Sequence, residues 1–161
     1  MRRHRAEPAS GGARTRDRGL GSVCRMTALT PYLHFPGTAR EALTFYGETF
    51  GCVVRLYTFE EFDRTDGPSD AVAHGYLEEG PVVLFAADVA GDEPPLRCEG
   101  MALALLGTSA PSVLRSWFSR LAEGGHVVDD LQTRPWGATD GRVADRYGVT
   151  WLIGFEEDEH A

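Results

Sequence analysis

The sequence contains no lysine and no asparagine, and only one isoleucine, Ile153, so all 16 of its basic residues are arginine. This usage is what a very GC-rich coding sequence gives. Cysteine is equally sparse: Cys24, Cys52 and Cys98 are odd in number and lack CxxC spacing, which excludes a disulfide framework and a zinc knuckle and suits a reducing compartment. Cys52 follows a glycine that ends a helix, where the dipole disfavours a thiolate, and Cys98 sits in a linker, so a cysteine nucleophile finds no support. No stretch approaches the roughly 20 apolar residues that a membrane span needs. The Arg2-Arg3 pair is followed by Gly, Ala, Ser, Arg and Asp rather than by the apolar run of an export signal. The expectation is a cytoplasmic protein with no membrane partner.

Aromatic residues and hydrophobic periodicity are absent from residues 1–25, which carry seven arginines against Glu7 and Asp17 and a net charge of +5. Three readings fit this arm: a disordered segment, an artefact of a misassigned start whose true initiator is Met26, or a basic tether to a partner. The remaining residues carry −13 of the total −8. So acidic a body repels nucleic-acid phosphates. Its acidity either draws cationic ligands to a cleft or simply maintains solubility.

The 161 residues, 42% hydrophobic and 25% charged, suffice for one well-buried domain or two small modules sharing a core. From residue 29 the elements are legible. Pro31-Tyr-Leu-His-Phe35 reads as a strand, Pro36-Gly37 as a turn, and Thr38-Ala-Arg-Glu41 as a capping box opening a helix. Ala42, Phe45, Tyr46 and Phe50 recur at helical spacing, and Gly51 supplies the stop. Strand candidates at 53–59, 71–77 and 82–88 complete a βαβββ unit over residues 29–90.

After a linker at 90–97, residues 98–156 repeat the plan. A strand at 101–106 precedes Gly107-Thr108, then a stripe of Val113, Leu114, Trp117, Phe118 and Leu121 ending at Gly124-Gly125. Strand candidates at 127–133, 141–145 and 149–155 follow. Trp117-Phe118 echoes Phe45-Tyr46 at an offset of about 70 residues, the mark of an internal duplication.

Three passages give this plan a family likeness. They are residues 31–46 (PYLHFPGTAREALTFY), 73–77 (AHGYL) and 136–151 (WGATDGRVADRYGVTW), and the last, a glycine-containing hairpin ending in Gly-Val-x-Trp, is the most specific. The chain resembles the vicinal-oxygen-chelate (glyoxalase/bleomycin-resistance) superfamily, in its PhnB-like branch. The resemblance implies an α+β fold in which two βαβββ modules curve into a half-open barrel around a pocket, commonly in a homodimer. Methyl transfer, an activity linked to that branch, would need a Gly-rich strand-to-helix nucleotide loop, yet residues 47–51 (GETFG) end a helix.

Metal-dependent relatives hold a divalent cation through side chains on four strands. Matched one at a time, those positions fall here on Pro31, His74, Met101 and Leu152, leaving one nitrogen donor where such sites need three or more. His34 lies on the face opposite Pro31 by strand alternation. His126 and His160 are expected to be exposed rather than ligating. No metal and no other cofactor is therefore expected.

What remains is an apolar pocket. Alternation places Val72 and Tyr76 with His74, and adds Leu33 and Phe35 from the first strand and Met101, Leu103 and Leu152 from the second module. Trp136 is a candidate lid or stacking surface. Apolar walls with one convergent polar group describe a small-molecule site, although the same side chains could simply fill the barrel. Two functions stay open. One is a metal-independent binder that sequesters an organic compound, cationic if the acidity is functional. The other is an enzyme, glyoxalase-like or otherwise, in which His74 is the catalytic acid or base, with Asp145 or Arg142 as its partner or as mere surface charge.

Overall fold

The computed structural model describes residues 29–157, so the basic arm, Met26 and His160 lie outside it. The first module runs β1 (Tyr32–Phe35), α1 (Ala39–Phe50), β2 (Val53–Thr58), β3 (Val72–Glu78) and β4 (Phe85–Asp88), with a 3-10 turn at Glu60–Phe62 between β2 and β3. The second runs β5 (Leu103–Leu106), α2 (Pro111–Ala122), β6 (His126–Thr133), β7 (Ala138–Ala144) and β8 (Thr150–Glu156). Each forms a four-stranded mixed sheet, ordered β1-β4-β3-β2 and β5-β8-β7-β6, with the outer pairs β1/β4 and β5/β8 parallel. The two sheets obey one connectivity, as a duplication requires. No strand pairing joins them among the described residues, so both remain open.

The helical stripes do what their spacing predicts. Ala42, Phe45, Tyr46 and Phe50 of α1 are buried, and so are Leu114, Trp117, Phe118 and Leu121 of α2. They meet in one core shared by both modules, where Phe50 packs edge-on against Trp117 at 5.1 Å and near Trp151 at 5.2 Å. The helix faces of the two sheets are thus consumed by packing, and any recognition is left to the opposite faces.

Two local expectations are corrected. Thr38 does precede α1, but its side chain makes no capping bond. Asp88, at the end of β4, takes that role: its carboxylate accepts from the Ala39 amide at 2.9 Å and from the Val72 amide at 2.8 Å. One buried side chain thereby ties the start of α1 to two strands, and a negative group sits favourably at the positive end of the helix. The stop at Gly51 is as expected, in the left-handed conformation at φ 70° that glycine adopts without a Cβ penalty.

The second correction concerns β3. The β2/β3 register shifts between Tyr57 and Thr58, so Tyr57 opposes His74 while Thr58 opposes Val72, leaving Ala73 as the extra residue of a bulge. A bulge reverses the parity of everything beyond it. Val72 therefore points into the core while His74 and Tyr76 point away from it.

Candidate functional site

On β1, Leu33 and Phe35 are buried in the core and Tyr32 and His34 take the other face. In register across the sheet, Tyr32 lies beside Phe85, Phe85 beside Tyr76, and Tyr76 beside Arg55. A second short row pairs His74 with Tyr57. The open face of the first sheet is therefore built of aromatic rings.

His74 is the hub. Its ring centroid lies 5.6 Å from Tyr76, 5.6 Å from Phe85, 5.7 Å from Tyr32 and 6.4 Å from Tyr57, with the last nearly parallel at 17°. Phe62 extends the patch beyond Tyr57, and His34 stacks on the far side of Tyr32 at 5.1 Å. Tyr32 and Phe62 are 41% and 48% exposed, so this aromatic surface is open to a ligand rather than sealed as core. Arg55 pairs with Glu78 at its rim.

A hydrogen bond orders the centre. The Tyr32 hydroxyl lies 3.0 Å from His74 Nδ1. Partial burial holds the His74 pKa below the ordinary imidazole value, because the cation loses hydration among the rings. Burial also raises the Tyr32 pKa, an effect the Arg64 charge opposes, and a hydrogen bond with Tyr57 raises that of Tyr76. All three groups are neutral near pH 7. The face offers ring surfaces, phenol hydroxyls and one uncharged imidazole.

The structure divides the residues expected to line the pocket. His74 and Tyr76 share the aromatic face. Leu33, Phe35 and Val72 do not: they are 3%, 1% and 0% exposed in the core, the first two because alternation runs in the opposite phase, Val72 because of the bulge. Leu103 also packs against the core. Met101 is 49% exposed and precedes β5. Leu152 lies on the open face of the second sheet, in a row with Ala104 and Arg142. That face is aliphatic and charged where the first is aromatic.

Trp136, 73% exposed, lines a cleft of about 680 Å³ on the second module with Leu106, Asp140 and Glu156. The cleft contains no imidazole and shares no residue with the His74 face, so Trp136 is no lid over His74 in this chain. Asp145 is neither surface charge nor histidine partner. It is 4% exposed and accepts from the Tyr46 hydroxyl, the Trp151 indole and two backbone amides. Arg142 is exposed on β7.

Tyr32, Tyr57 and Phe85 were not anticipated as site residues. A signal for Tyr32 existed: in Tyr-Leu-His-Phe, the purely apolar members alternate with the amphipathic ones, and it is the apolar pair that a helix should cover. Among the described residues, no three His, Cys, Asp or Glu side chains converge as a metal-binding group. None of their helices is long and apolar enough to cross a membrane.

Comparison with known proteins agrees with this architecture. The model of the Glyoxalase/Bleomycin resistance protein/Dioxygenase superfamily matches residues 29–153. Protein YjdN of Escherichia coli (strain K12) is 27% identical over 139 residues, spanning 78% of this chain and 92% of that protein. Among solved structures, protein PA1353 from Pseudomonas aeruginosa is 29% identical, with a TM-score of 0.70, over 83% of this chain and 100% of that one. A PhnB protein from Bacillus cereus, 23% identical with a TM-score of 0.63 over 79% of this chain and 98% of that one, shares the fold. With the family model spanning both modules, the chain belongs to the Glyoxalase/Bleomycin resistance protein/Dioxygenase superfamily and has PhnB-like structural neighbours.

Proposed function

We propose that the protein binds a small organic compound against the aromatic face around His74 and sequesters it without a divalent metal. The observation behind this reading is the packing of four rings about one neutral imidazole on an open sheet face. Stacked and edge-on rings supply dispersion and shape, and one polar group fixes orientation, which is the usual division of labour in a small-molecule site.

Metal independence is supported by the donor set. The family's metal would need hard nitrogen and oxygen ligands converging from both modules. Here His74 is surrounded by phenols and hydrocarbon, and the matched second-module positions, Met101 and Leu152, offer a thioether and an alkyl group. The residues present do not fit such an ion.

Two copies of the chain are proposed to pair, because each monomer leaves the face of each sheet opposite its helix open. Leu106 and Val128 are about half exposed on the second module, and an aromatic face opposed to an aliphatic one would enclose a groove between subunits.

A second reading has two observations in its favour. His74 has a lowered pKa and a hydroxyl that orients it, the arrangement a general acid or base requires. Native mass spectrometry of the full chain, purified from its own cells, separates the possibilities. The binder reading expects a dimer carrying an organic adduct and no metal. A stoichiometric divalent metal, or a chelator-insensitive activity abolished by His74→Ala, would overturn it.

A further inference from the structure

We infer that the compound held at the His74 face is a flat conjugated molecule presenting a neutral oxygen acceptor, a ketone or quinone-type carbonyl, because Tyr32 makes the imidazole a hydrogen-bond donor toward the ligand. This deepens the binder reading and rests on it.

The direction of the Tyr32–His74 bond decides the chemistry. A phenol is a stronger acid than a neutral imidazole N–H, and an imidazole nitrogen is a better acceptor than a phenol oxygen. The hydroxyl 3.0 Å from Nδ1 therefore donates, and the ring proton is left on Nε2. Nε2 has no partner of its own among the described residues, whereas no buried side-chain nitrogen or oxygen among them lacks one. Nε2–H consequently reaches solvent. A ligand group placed there has to accept.

Shape and charge narrow the class further. Tyr57 is stacked at 17° to the imidazole, and Tyr76 and Phe85 stand 5.6 Å from it, so the face favours a planar body that several rings can touch at once. A cation would meet the Nε2–H head-on, and Glu78, the carboxylate at the end of β3, is already engaged by Arg55. A carboxylate ligand would suit the donor but has to approach a body of net charge −13. A neutral carbonyl meets neither obstacle.

Equilibrium dialysis of the full-length protein against three probes of one shape tests this: 2-acetylnaphthalene, 2-ethylnaphthalene and 2-naphthylmethylammonium. The ketone should bind roughly three- to tenfold more tightly than the hydrocarbon, the yield of one added hydrogen bond, and more tightly than the ammonium. In His74→Phe, which keeps a ring for stacking, the ketone preference should shrink to about twofold or less. Nitrogen-15 spectra of the wild-type imidazole provide a readout independent of any variant's folding and should show the Nε2–H tautomer. An Nδ1–H tautomer, an ammonium bound as tightly as the ketone, or an undiminished preference in His74→Phe would overturn the inference. Equal binding of all three probes would sink this inference alone. Failure of all three to bind would overturn the binder reading and this inference with it.

Discussion

Tyr46 of α1 donates its hydroxyl to Asp145, in the β7–β8 turn, at 2.7 Å across the join between the two modules. The same carboxylate accepts from Trp151 Nε1 at 2.8 Å and from the amides of Tyr147 and Val149 at 2.8 and 3.1 Å. Burial, and then the Asp145 charge, push the Tyr46 pKa far above its ordinary value, so the hydroxyl is a permanent donor. Tyr46→Phe removes one bond to a charged acceptor and should cost about 1.5 to 3 kcal/mol. Asp145→Ala strands four donors and should cost more. Urea unfolding of both variants checks the order, and a near-neutral Tyr46→Phe would show that the modules hold together by apolar packing alone.

Asp88 and Thr38 make a contrasting pair. Truncating Thr38 to alanine removes no capping bond and should change stability by less than about 0.5 kcal/mol. Asp88→Ala strips acceptors from two buried amides, those of Ala39 and Val72, and should cost about 2 kcal/mol or more. Thermal unfolding of the two single variants is sufficient. Equal losses would mean that Thr38 closes the cap in solution.

The different visibility of these features in the sequence has physical causes. Phe45-Tyr46 and Trp117-Phe118 announced the helices and the duplication because a 3.6-residue period is a local property, set by which side chains face the sheet. The cap by Asp88 was hidden because the carboxylate is 49 residues from the amide it serves. His74 was legible as the lone donor among the matched strand positions. Tyr76, two residues on, was legible beside it by alternation. The other neighbours were not, because the Ala73 bulge removed Val72 from the face and β1 runs with Leu33 and Phe35 inward, so Tyr32 rather than either became the histidine's partner. Strand parity is a one-residue choice, and a single inserted residue reverses it.

Gly75 links that face to the core. It sits beside His74 on β3 and points toward α1, where an added Cβ would lie 2.5 Å from Leu43 Cδ1 and 2.9 Å from Leu56 Cδ2. Leu43 is fully buried, and the Arg55 carbonyl, 3.2 Å from the same Cβ, is backbone that cannot swing aside. Gly75→Ala should therefore destabilise by about 1 to 3 kcal/mol through overpacking. Because relief requires β3 to move outward, the variant should also weaken naphthyl-ketone binding when assayed below its unfolding midpoint. A stable variant with unaltered affinity would show that α1 shifts instead.

His74 should leave a signature in the pH dependence of stability. Its folded pKa lies below the unfolded value of 6.5, since burial among the rings disfavours the cation. Between those two values the unfolded chain binds more protons than the folded one, so unfolding free energy rises with pH in that window. The penalty is absent above the ordinary imidazole value, grows as pH falls through it, and is complete once the folded pKa is passed. The carboxylates held low by their partners, Glu61, Asp66 and Asp129, act only in a more acidic range, beneath their ordinary values of 4.5, 3.8 and 3.8. Protonation also fills Nδ1, so Tyr32 must rotate its hydroxyl and lose its acceptor. Urea midpoints measured at about pH 7.5 and about pH 5.5 should differ more for the wild type than for His74→Phe. If the two differences are equal, the imidazole titrates as it does in the unfolded chain, and the rings around it do not desolvate it.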